Sequence, residues 1–292
     1  MNTSSTSSST SSEITLAAYC VFGNPIAHSR SPWIHTRFAE LTGEALIYTK
    51  RLAPLDGFAQ ALNDFRAEGG LGCNITVPFK LQAAALADHI SPRAALAGAC
   101  NVLHMVDGQL HADNSDGIGL VRDITINAGF DLKGRDILLI GAGGAAAGVL
   151  GPLLECQPRR IVVVNRTVAK AQALVDAHAA LALLQKVELL ALTLQAPAAD
   201  FDLIINGTAS SLSGGGIPVP SSCLRPGSLA CDLMYGPAAQ GFMTWAAEHG
   251  AQGRDGLGML VEQAGEAFEM WRGVRPPTAQ VLAELRALLA AA

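Results

Sequence analysis

The chain has no long apolar run and no excess of positive charge. Its uninterrupted apolar stretches all fall short of the roughly 20 residues that a membrane-spanning helix needs. Its 20 Lys and Arg residues are outnumbered by 25 Asp and Glu residues, which gives a net charge of −5. We therefore expect no nucleic-acid or membrane partner, and any anionic ligand must be bound by local positive groups.

Charged and aromatic residues are also scarce, at 15% and 5% of the 292 residues. The 50% hydrophobic content fits an α/β protein with much buried strand, and the length is sufficient for two domains. The cysteines lack the spacing of metal ligands and lie mostly inside apolar runs, so we expect reduced, buried thiols, a cytoplasmic protein and no metal site. They are Cys20, Cys73, Cys100, Cys156, Cys223 and Cys231.

The first 12 residues are almost entirely Ser and Thr. They lack the basic and apolar regions of a secretory signal peptide, and such a polar tract has too little apolar surface to fold. We therefore predict a disordered tail over residues 1–13.

The most informative segment lies in the middle of the chain. Asp136–Ile140 is an apolar run of strand length, residues 147–154 are small and apolar enough for a packed helix, and Ile161–Val164 is a second β-branched run. Between the first strand and the helix stand Gly141, Ala142, Gly143, Gly144, Ala145 and Ala146. Gly141 permits a tight turn, Gly143 lets the backbone approach a diphosphate, and the helix N-terminus favours an anion. This strand–turn–helix–strand pattern predicts a dinucleotide site.

The end of the second strand predicts which dinucleotide binds. A site for NAD usually has Asp or Glu there to bind the ribose 2′-hydroxyl. This chain instead has Asn165, Arg166 and Thr167, with Lys170 one turn later. A carboxylate would repel a 2′-phosphate, whereas Arg166 and Lys170 offer it charge-assisted donors, so the sequence favours NADP. The alternative is that Arg166 and Lys170 are only solvent-exposed charges at the start of a helix.

Strand-like and helix-like segments alternate along the whole chain. The predicted strands are 18–23, 48–52, 72–77, 102–106, 109–112, 136–140, 161–164, 187–192, 203–205 and 228–233. The predicted helices are 33–41, 55–67, 80–87, 118–128, 147–154, 168–180, 257–272 and 279–289.

This alternation predicts the α/β fold class with two α/β domains. A polar break at residues 113–117 separates a substrate-binding domain, residues 14–117, from a doubly wound, Rossmann-type nucleotide domain, residues 118–256. We expect the C-terminal helices, residues 257–292, to pack back onto the first domain.

Polar side chains in the first domain collect at the ends of these elements, where α/β proteins build their sites. They are Ser29, Ser31, Asn74, Thr76, Lys80, Asn101, Asn114 and Asp116. Taken singly, most have simpler explanations, because Ser31 and Asp116 suit helix caps and Asn101 suits a turn. Lys80 is the exception, since it lies just past the strand-ending Pro78 and is well placed to point into a cleft.

Lys80 and Asp116 would form a useful pair beside a nicotinamide. Reduction of a carbonyl places negative charge on its oxygen, so a cationic donor stabilises that charge and a proton must follow. Asp116 would orient Lys80 and accept a hydrogen bond from a substrate hydroxyl. The chain has no Ser-Tyr-x-x-x-Lys arrangement, which argues against the short-chain dehydrogenase mechanism.

Several of these segments together resemble the bacterial shikimate dehydrogenase family. They are residues 19–32, 74–80, 99–101, 113–117, 141–145, 165–167 and 255–261. The resemblance extends from about Ala18 to the C-terminal helices and is far more specific than any single motif. It implies reversible, NADPH-dependent reduction of 3-dehydroshikimate to shikimate, in chorismate and aromatic amino-acid biosynthesis.

The resemblance also implies roles for individual residues. Lys80 and Asp116 would be catalytic. Substrate would be held by Ser29, Ser31, Thr76, Asn101, Asp116, Tyr235 and Gln263. NADP would be held by Gly141, Ala142, Gly143, Gly144, Ala145, Asn165, Arg166, Thr167, Lys170, Gly256 and Met259. The chain departs from the family's usual Ser-Arg at Ala146-Ala147 and from its usual Arg at Lys170, which predicts weaker NADP binding without favouring NAD.

Two alternatives to this function stay open. One is a quinate/shikimate dehydrogenase of the same fold, which would need room for an extra hydroxyl beside Ser29 and Ser31. The other is a non-catalytic NADP-binding regulator, which the presence of both Lys80 and Asp116 disfavours. If the protein is either enzyme, its partner is a small-molecule substrate, and we expect a monomer or a homodimer.

Overall fold

The computed structural model describes residues 16–195, 200–208 and 217–291. The predicted Ser/Thr tail, residues 1–13, lies outside the described residues. The described chain forms two six-stranded sheets with helices packed against them.

The first sheet has the strand order β2-β1-β3-β5-β6-β4. Its strands are β1 (Ala17–Gly23), β2 (Leu46–Leu52), β3 (Gly70–Ile75), β4 (His89–Ile90), β5 (Val102–Val106) and β6 (Gln109–Asp113). The helices within this part are α1 (Ser31–Thr42), α2 (Phe58–Ala67), α3 (Lys80–Leu86) and α4 (Pro92–Ala97). The strand β1 pairs in parallel with β2 and β3, whereas β5 runs antiparallel to both β3 and β6. Phe22, Phe58, Phe65 and Phe79 belong to one buried cluster between this sheet and its helices.

A bent helical segment leads to the second sheet. The helix α5 (Asp116–Arg122) continues directly as a π-helix, Asp123–Asn127. The prediction of one regular helix over residues 118–128 is therefore wrong in its second half. The Asp123 carboxylate binds both the Asn127 amide and the Arg254 guanidinium, and the Ala128 N–H bonds five residues back to the Asp123 carbonyl.

The second sheet is entirely parallel, in the order β12-β11-β10-β7-β8-β9. Its strands are β7 (Asp136–Ile140), β8 (Arg160–Val164), β9 (Glu188–Leu192), β10 (Phe201–Asn206), β11 (Leu224–Asp232) and β12 (Gln252–Arg254). Its helices are α6 (Gly144–Glu155), α7 (Val168–Gln185) and α8 (Gln240–Glu248). The chain winds outward from β7 in both directions, so the strand order reverses between β7 and β10. A doubly wound sheet binds its ligand at that switch point, beyond the carboxyl ends of the strands.

The last two helices return to the first sheet. The helices α9 (Leu257–Arg272) and α10 (Thr278–Ala290) bury an apolar cluster against α1 that includes Ile34, Phe38 and Phe268. Burial of this apolar surface is the main force that holds the C-terminal segment to the first sheet.

The sequence also missed some elements and misplaced others. The helix α2 begins at Phe58, not at residue 55, and β3 ends at Ile75, before Thr76. The short elements β4, α4, α8 and β12 were not predicted. For α4 a local signal exists, because Ser91 caps the Ala94 amide at 3.2 Å and Pro92 occupies the first turn.

No helix in the described part of the chain is long and apolar enough to span a bilayer.

Candidate active site

Lys80 and Asp116 are in direct contact. Lys80 begins α3 and Asp116 begins α5, and the Lys80 Nζ lies 2.5 Å from Asp116 Oδ2. Asp116 is buried, whereas Lys80 is partly exposed. The two residues are 36 positions apart in the chain, so the fold of the first sheet creates this pair.

Three further polar side chains surround Asp116 in a buried cluster. Asn101 donates its side-chain amide to Asp116 Oδ1 at 2.8 Å, and its side-chain carbonyl accepts the Ser115 N–H at 2.8 Å. The Asn101 amide also lies 3.3 Å from Gln263 Oε1, to which the Ser115 hydroxyl donates at 3.3 Å. The structure therefore brings Asn101 and Gln263 to the Lys80–Asp116 pair, although Gln263 lies on α9.

Sequence reasoning missed Ser115 and Tyr48 as members of this network. The Tyr48 hydroxyl donates to Asn74 Oδ1 at 2.7 Å, and the Asn74 amide donates to the Asn101 carbonyl at 3.2 Å. Burial raises the pKa of Tyr48 well above its usual value, so its hydroxyl stays a donor. The only feature of the sequence that pointed to Ser115 was its position next to Asp116. No feature of the sequence pointed to Tyr48.

The remaining predicted substrate residues lie at the ends of β1, β3 and β11. Ser31 is buried at the start of α1, and its N–H donates to the Ser29 hydroxyl at 3.3 Å. Thr76 follows β3 and packs against Gly23, where a Cβ would lie 2.5 Å from the Thr76 methyl. Tyr235 follows β11 and packs on the apolar cluster of α1, α9 and α10. These contacts place Thr76 beside the end of β1, Ser31 at the start of α1 and Tyr235 against the cluster that includes α1.

The glycine turn after β7 has the geometry of a diphosphate cradle. Gly141 has φ +108°, a region that L side chains rarely adopt, and its N–H donates to the Val164 carbonyl at 2.7 Å. Gly143 and Gly144 form the start of the 12-residue helix α6, and no described atom lies within 4 Å of a Cβ built at either position. Gly143, Gly144 and Ala145 are also exposed, which leaves room for an anionic diphosphate at the helix N-terminus. Ala142 and Ala145 lie in the same turn.

The residues after β8 present two unpaired cations. Asn165 donates its side-chain amide to the Thr167 carbonyl at 2.9 Å, which fixes the turn. Arg166 and Lys170 are exposed, and neither forms an ion pair with any residue that the structure describes. This arrangement suits a 2′-phosphate, because the guanidinium and ammonium donors are not already used.

Gly256 and Met259 lie at the start of α9. The Gly256 N–H donates to the Met234 carbonyl at 2.8 Å, and a Cβ at this position would lie 2.4 Å from the Leu233 carbonyl. Only glycine fits so close to the end of β11. Met259 is buried in the core of the second sheet, with 9% of its surface exposed.

Comparison with known proteins identifies the family of this chain. Residues 21–103 match the shikimate dehydrogenase substrate-binding domain, residues 124–213 the shikimate/quinate 5-dehydrogenase model, and residues 256–286 the shikimate 5′-dehydrogenase C-terminal domain. A shikimate dehydrogenase (NADP(+)) of Acidovorax sp. (strain JS42) is 72% identical over 273 residues, covering 94% of this chain and 97% of the relative. The chain belongs to the shikimate dehydrogenase family.

Solved structures of similar chains agree with this family assignment. A shikimate 5-dehydrogenase from Thermus thermophilus, in complex with NADP(H) and shikimate, superimposes with a TM-score of 0.81 at 30% identity, over 93% of this chain and 99% of that one. An Ael1 enzyme from Pseudomonas putida gives a TM-score of 0.86 at 45% identity, over 92% and 98% of the two chains. The predicted family, α/β fold class, oxidoreductase class and NADP cofactor are thereby confirmed.

Among the described residues, no group of three or more His, Cys, Asp or Glu is arranged to hold a metal.

Proposed function

We propose that the protein catalyses the reversible, NADPH-dependent reduction of 3-dehydroshikimate to shikimate, within chorismate and aromatic amino-acid biosynthesis. One observation carries this proposal. The Lys80–Asp116 pair, joined at 2.5 Å, lies against α6, the helix that begins at the diphosphate turn. A carbonyl bound beside Lys80 would therefore lie close to the nicotinamide of a dinucleotide whose diphosphate binds at that turn.

Lys80 and Asp116 share the proton chemistry. NADPH, when bound, supplies the hydride, and negative charge develops on the substrate oxygen. The Lys80 ammonium stabilises this charge and delivers the proton, which leaves a neutral amine. In the reverse direction this neutral amine accepts the proton of the substrate hydroxyl. Asp116 holds Lys80 with one carboxylate oxygen, and the Asn101 amide holds the other oxygen at 2.8 Å. The carboxylate is thereby fixed in one orientation.

The substrate is oriented by hydroxyl and amide donors. Ser29, Ser31 and Tyr235 bind the carboxylate in this proposal, and the packing of Tyr235 near the start of α1 supports it. The ring hydroxyls are bound by Thr76, Asn101, Asp116 and Gln263, of which three already form one hydrogen-bonded cluster. These roles suit a hydroxylated cyclic acid rather than a simple aldehyde or ketone.

The cofactor roles follow the geometry of the second sheet. Gly141–Ala145 cradle the diphosphate, while Asn165, Arg166, Thr167 and Lys170 bind the adenosine ribose and its 2′-phosphate. Gly256 and Met259 flank the nicotinamide. Ala147 replaces a basic residue that family members commonly carry, so Arg166 and Lys170 provide the positive charge for the 2′-phosphate.

We also propose the cellular and molecular setting. None of the six cysteines, all of which the structure describes, forms a disulfide, and five of them are buried, which supports a reducing, cytoplasmic compartment. The division into residues 14–117, 118–256 and 257–292 is proposed as the domain organisation, and the protein acts as a monomer or a homodimer.

The proposed function is tested by nicotinamide absorbance during shikimate oxidation. Wild-type protein is assayed with shikimate and NADP, with shikimate and NAD, and with quinate and NADP. Rapid turnover with the first pair alone supports the biosynthetic enzyme. Comparable turnover with quinate would favour the quinate/shikimate alternative, which the description of the family model over residues 124–213 makes relevant. NADP binding without turnover on any substrate would favour the regulator.

A further inference from the structure

Arg30 separates the two serines that are proposed to bind the substrate carboxylate. It is the residue that precedes α1, and its side chain is exposed and forms no hydrogen bond or ion pair with the described residues. Its neighbour Ser31 is buried and Ser29 is half-buried. Arg30 is therefore the most exposed residue of this segment, and its guanidinium stands at the rim of the proposed carboxylate site.

The electrostatic setting of Arg30 differs from that of the protein as a whole. The chain carries a net charge of −5, so its average field repels an anion. Around Arg30, in contrast, the local charge is positive. The first turn of α1 contains no acidic residue, its N-terminus carries partial positive charge, and the Lys50 ammonium is held beside the same loop by the Ala27 carbonyl at 2.5 Å.

Tyr235, the third residue proposed to bind the carboxylate, packs on the apolar cluster that includes α1. Arg30 immediately precedes that helix. Burial raises the pKa of Tyr235, and the positive charge of Arg30 opposes this effect. Arg30 and Tyr235 therefore both belong to the surroundings of the start of α1, although Tyr235 follows β11 in the second sheet.

We propose that Arg30 is a steering and specificity residue for an anionic substrate. Its exposed guanidinium attracts the carboxylate to the rim, and the carboxylate then passes to the hydroxyls of Ser29 and Ser31. This inference rests on the proposed function, because it requires a carboxylate at that place. Arg30 accelerates productive encounter and contributes nothing to the chemical step.

The expected size of the effect follows from Coulomb's law. A unit charge about 7 Å from the path of the carboxylate changes the encounter equilibrium roughly threefold in water at low ionic strength. Screening shortens the range to roughly 4 Å at about 0.5 M salt, so the effect should then disappear. A residue that binds the carboxylate directly would keep most of its effect at high salt.

The test compares Arg30→Gln with a matched loss of charge elsewhere. Lys133 is an exposed residue before β7 whose only described hydrogen bond is through its backbone N–H, so Lys133→Gln has the same net charge as Arg30→Gln. Shikimate oxidation with saturating NADP is measured at about 0.01 M and about 0.5 M ionic strength. We expect Arg30→Gln to lower kcat/KM for shikimate about threefold at low ionic strength only, with kcat and the KM for NADP unchanged. Lys133→Gln should have the same kcat/KM for shikimate as the wild type at both ionic strengths. Arg30→Lys keeps the positive charge and should retain most of the wild-type kcat/KM.

Two results would overturn the steering role. Equal kcat/KM values for Arg30→Gln and Lys133→Gln at low ionic strength would show that the charge at position 30 is not used. A loss that persists at the higher ionic strength, together with a lower kcat, would make Arg30 a direct ligand instead. If the wild type does not oxidise shikimate at all, the proposed function fails first, and this inference fails with it.

Discussion

Gly148 packs directly against the carboxylate of Asp116. A Cβ built at position 148 would lie 3.4 Å from Asp116 Oδ2 and 3.3 Å from the side-chain amide of Asn114. One helix, α6, therefore begins at the glycine turn proposed to hold the diphosphate and contacts, one turn later, the carboxylate proposed to be catalytic. The absence of a side chain at position 148 allows this close contact.

The first prediction concerns this contact. Gly148→Ala should lower kcat several-fold, because the added methyl group presses on Asp116 and Asn114. The melting temperature should hold or rise, since Ala favours a helix over Gly by about 1 kcal/mol. Gly151→Ala is the matched control on α6, because its Cβ would meet only the flexible ends of Leu96 and Leu181. Equal kcat in the two variants would show that the Gly148 contact does not position Asp116.

The second prediction concerns the proton donor. Lys80→Ala should lower turnover by roughly 10²–10⁴, the usual contribution of a positioned acid or base. NADP affinity, measured by calorimetry, should stay close to that of the wild type, since Lys80 lies on the substrate side. Turnover near the wild-type level would remove Lys80 from the mechanism.

The third prediction concerns the choice of dinucleotide. Arg166→Gln should raise the KM for NADP by roughly 10- to 100-fold, because a charge-assisted hydrogen bond contributes about 1.5–3 kcal/mol. The KM for NAD should hardly change, since NAD has no 2′-phosphate. Lys133→Gln controls for the loss of one positive charge. An equal rise in KM for both cofactors would assign Arg166 to a contact other than the 2′-phosphate.

The fourth prediction concerns acid stability and His35. This residue is fully buried between Tyr48, Phe38, Phe268 and Trp271, its ring stacks on Tyr48 at 4.1 Å, and burial lowers its pKa to about 3. The unfolded chain binds a proton below about pH 6.5, but the folded chain does not, so protonation favours unfolding. His35 therefore lowers the free energy of unfolding by about 1.4 kcal/mol per pH unit as pH falls from 6.5 toward 3.

His35→Phe keeps an aromatic ring in this cluster and removes the titration. Urea unfolding at pH 7 and pH 5 should show that the wild type loses about 2 kcal/mol more than the variant over this interval. His178, another buried histidine with a lowered pKa, is present in both proteins and cancels in the comparison. The same loss in wild type and variant would mean that His35 is not the group being protonated.

The conformation of the glycine turn was predictable to the level of individual residues. Its requirements are local, because the φ of Gly141 and the start of α6 depend on a few consecutive residues. The Lys80–Asp116 pair was predicted from its chemistry and from the ends of elements. Gln263 was reached only through the family resemblance, since it lies 162 residues from its partner Asn101 in the chain.

Other contacts had no sequence signal at all. The Tyr48–Asn74 hydrogen bond joins residues of β2 and β3, which are not neighbours in the sheet because β1 lies between them. The ion pair between Asp123 and Arg254 links residues 131 apart and accompanies the π-helix that replaced the predicted regular helix. Polar residues of this kind look like solvated positions until the packing of distant elements is known.

The sequence by itself determined the α/β class, the dinucleotide turn, the preference for a 2′-phosphate and the residue types able to reduce a carbonyl. These follow from periodicity, glycine conformation and local charge, which neighbouring residues set. Only the tertiary structure decided that Gly148 contacts Asp116, that α9 brings Gln263 to Asn101, and that Arg30 forms no ion pair with the residues the structure describes. Such contacts depend on how separate elements pack, and packing is a property of the whole chain.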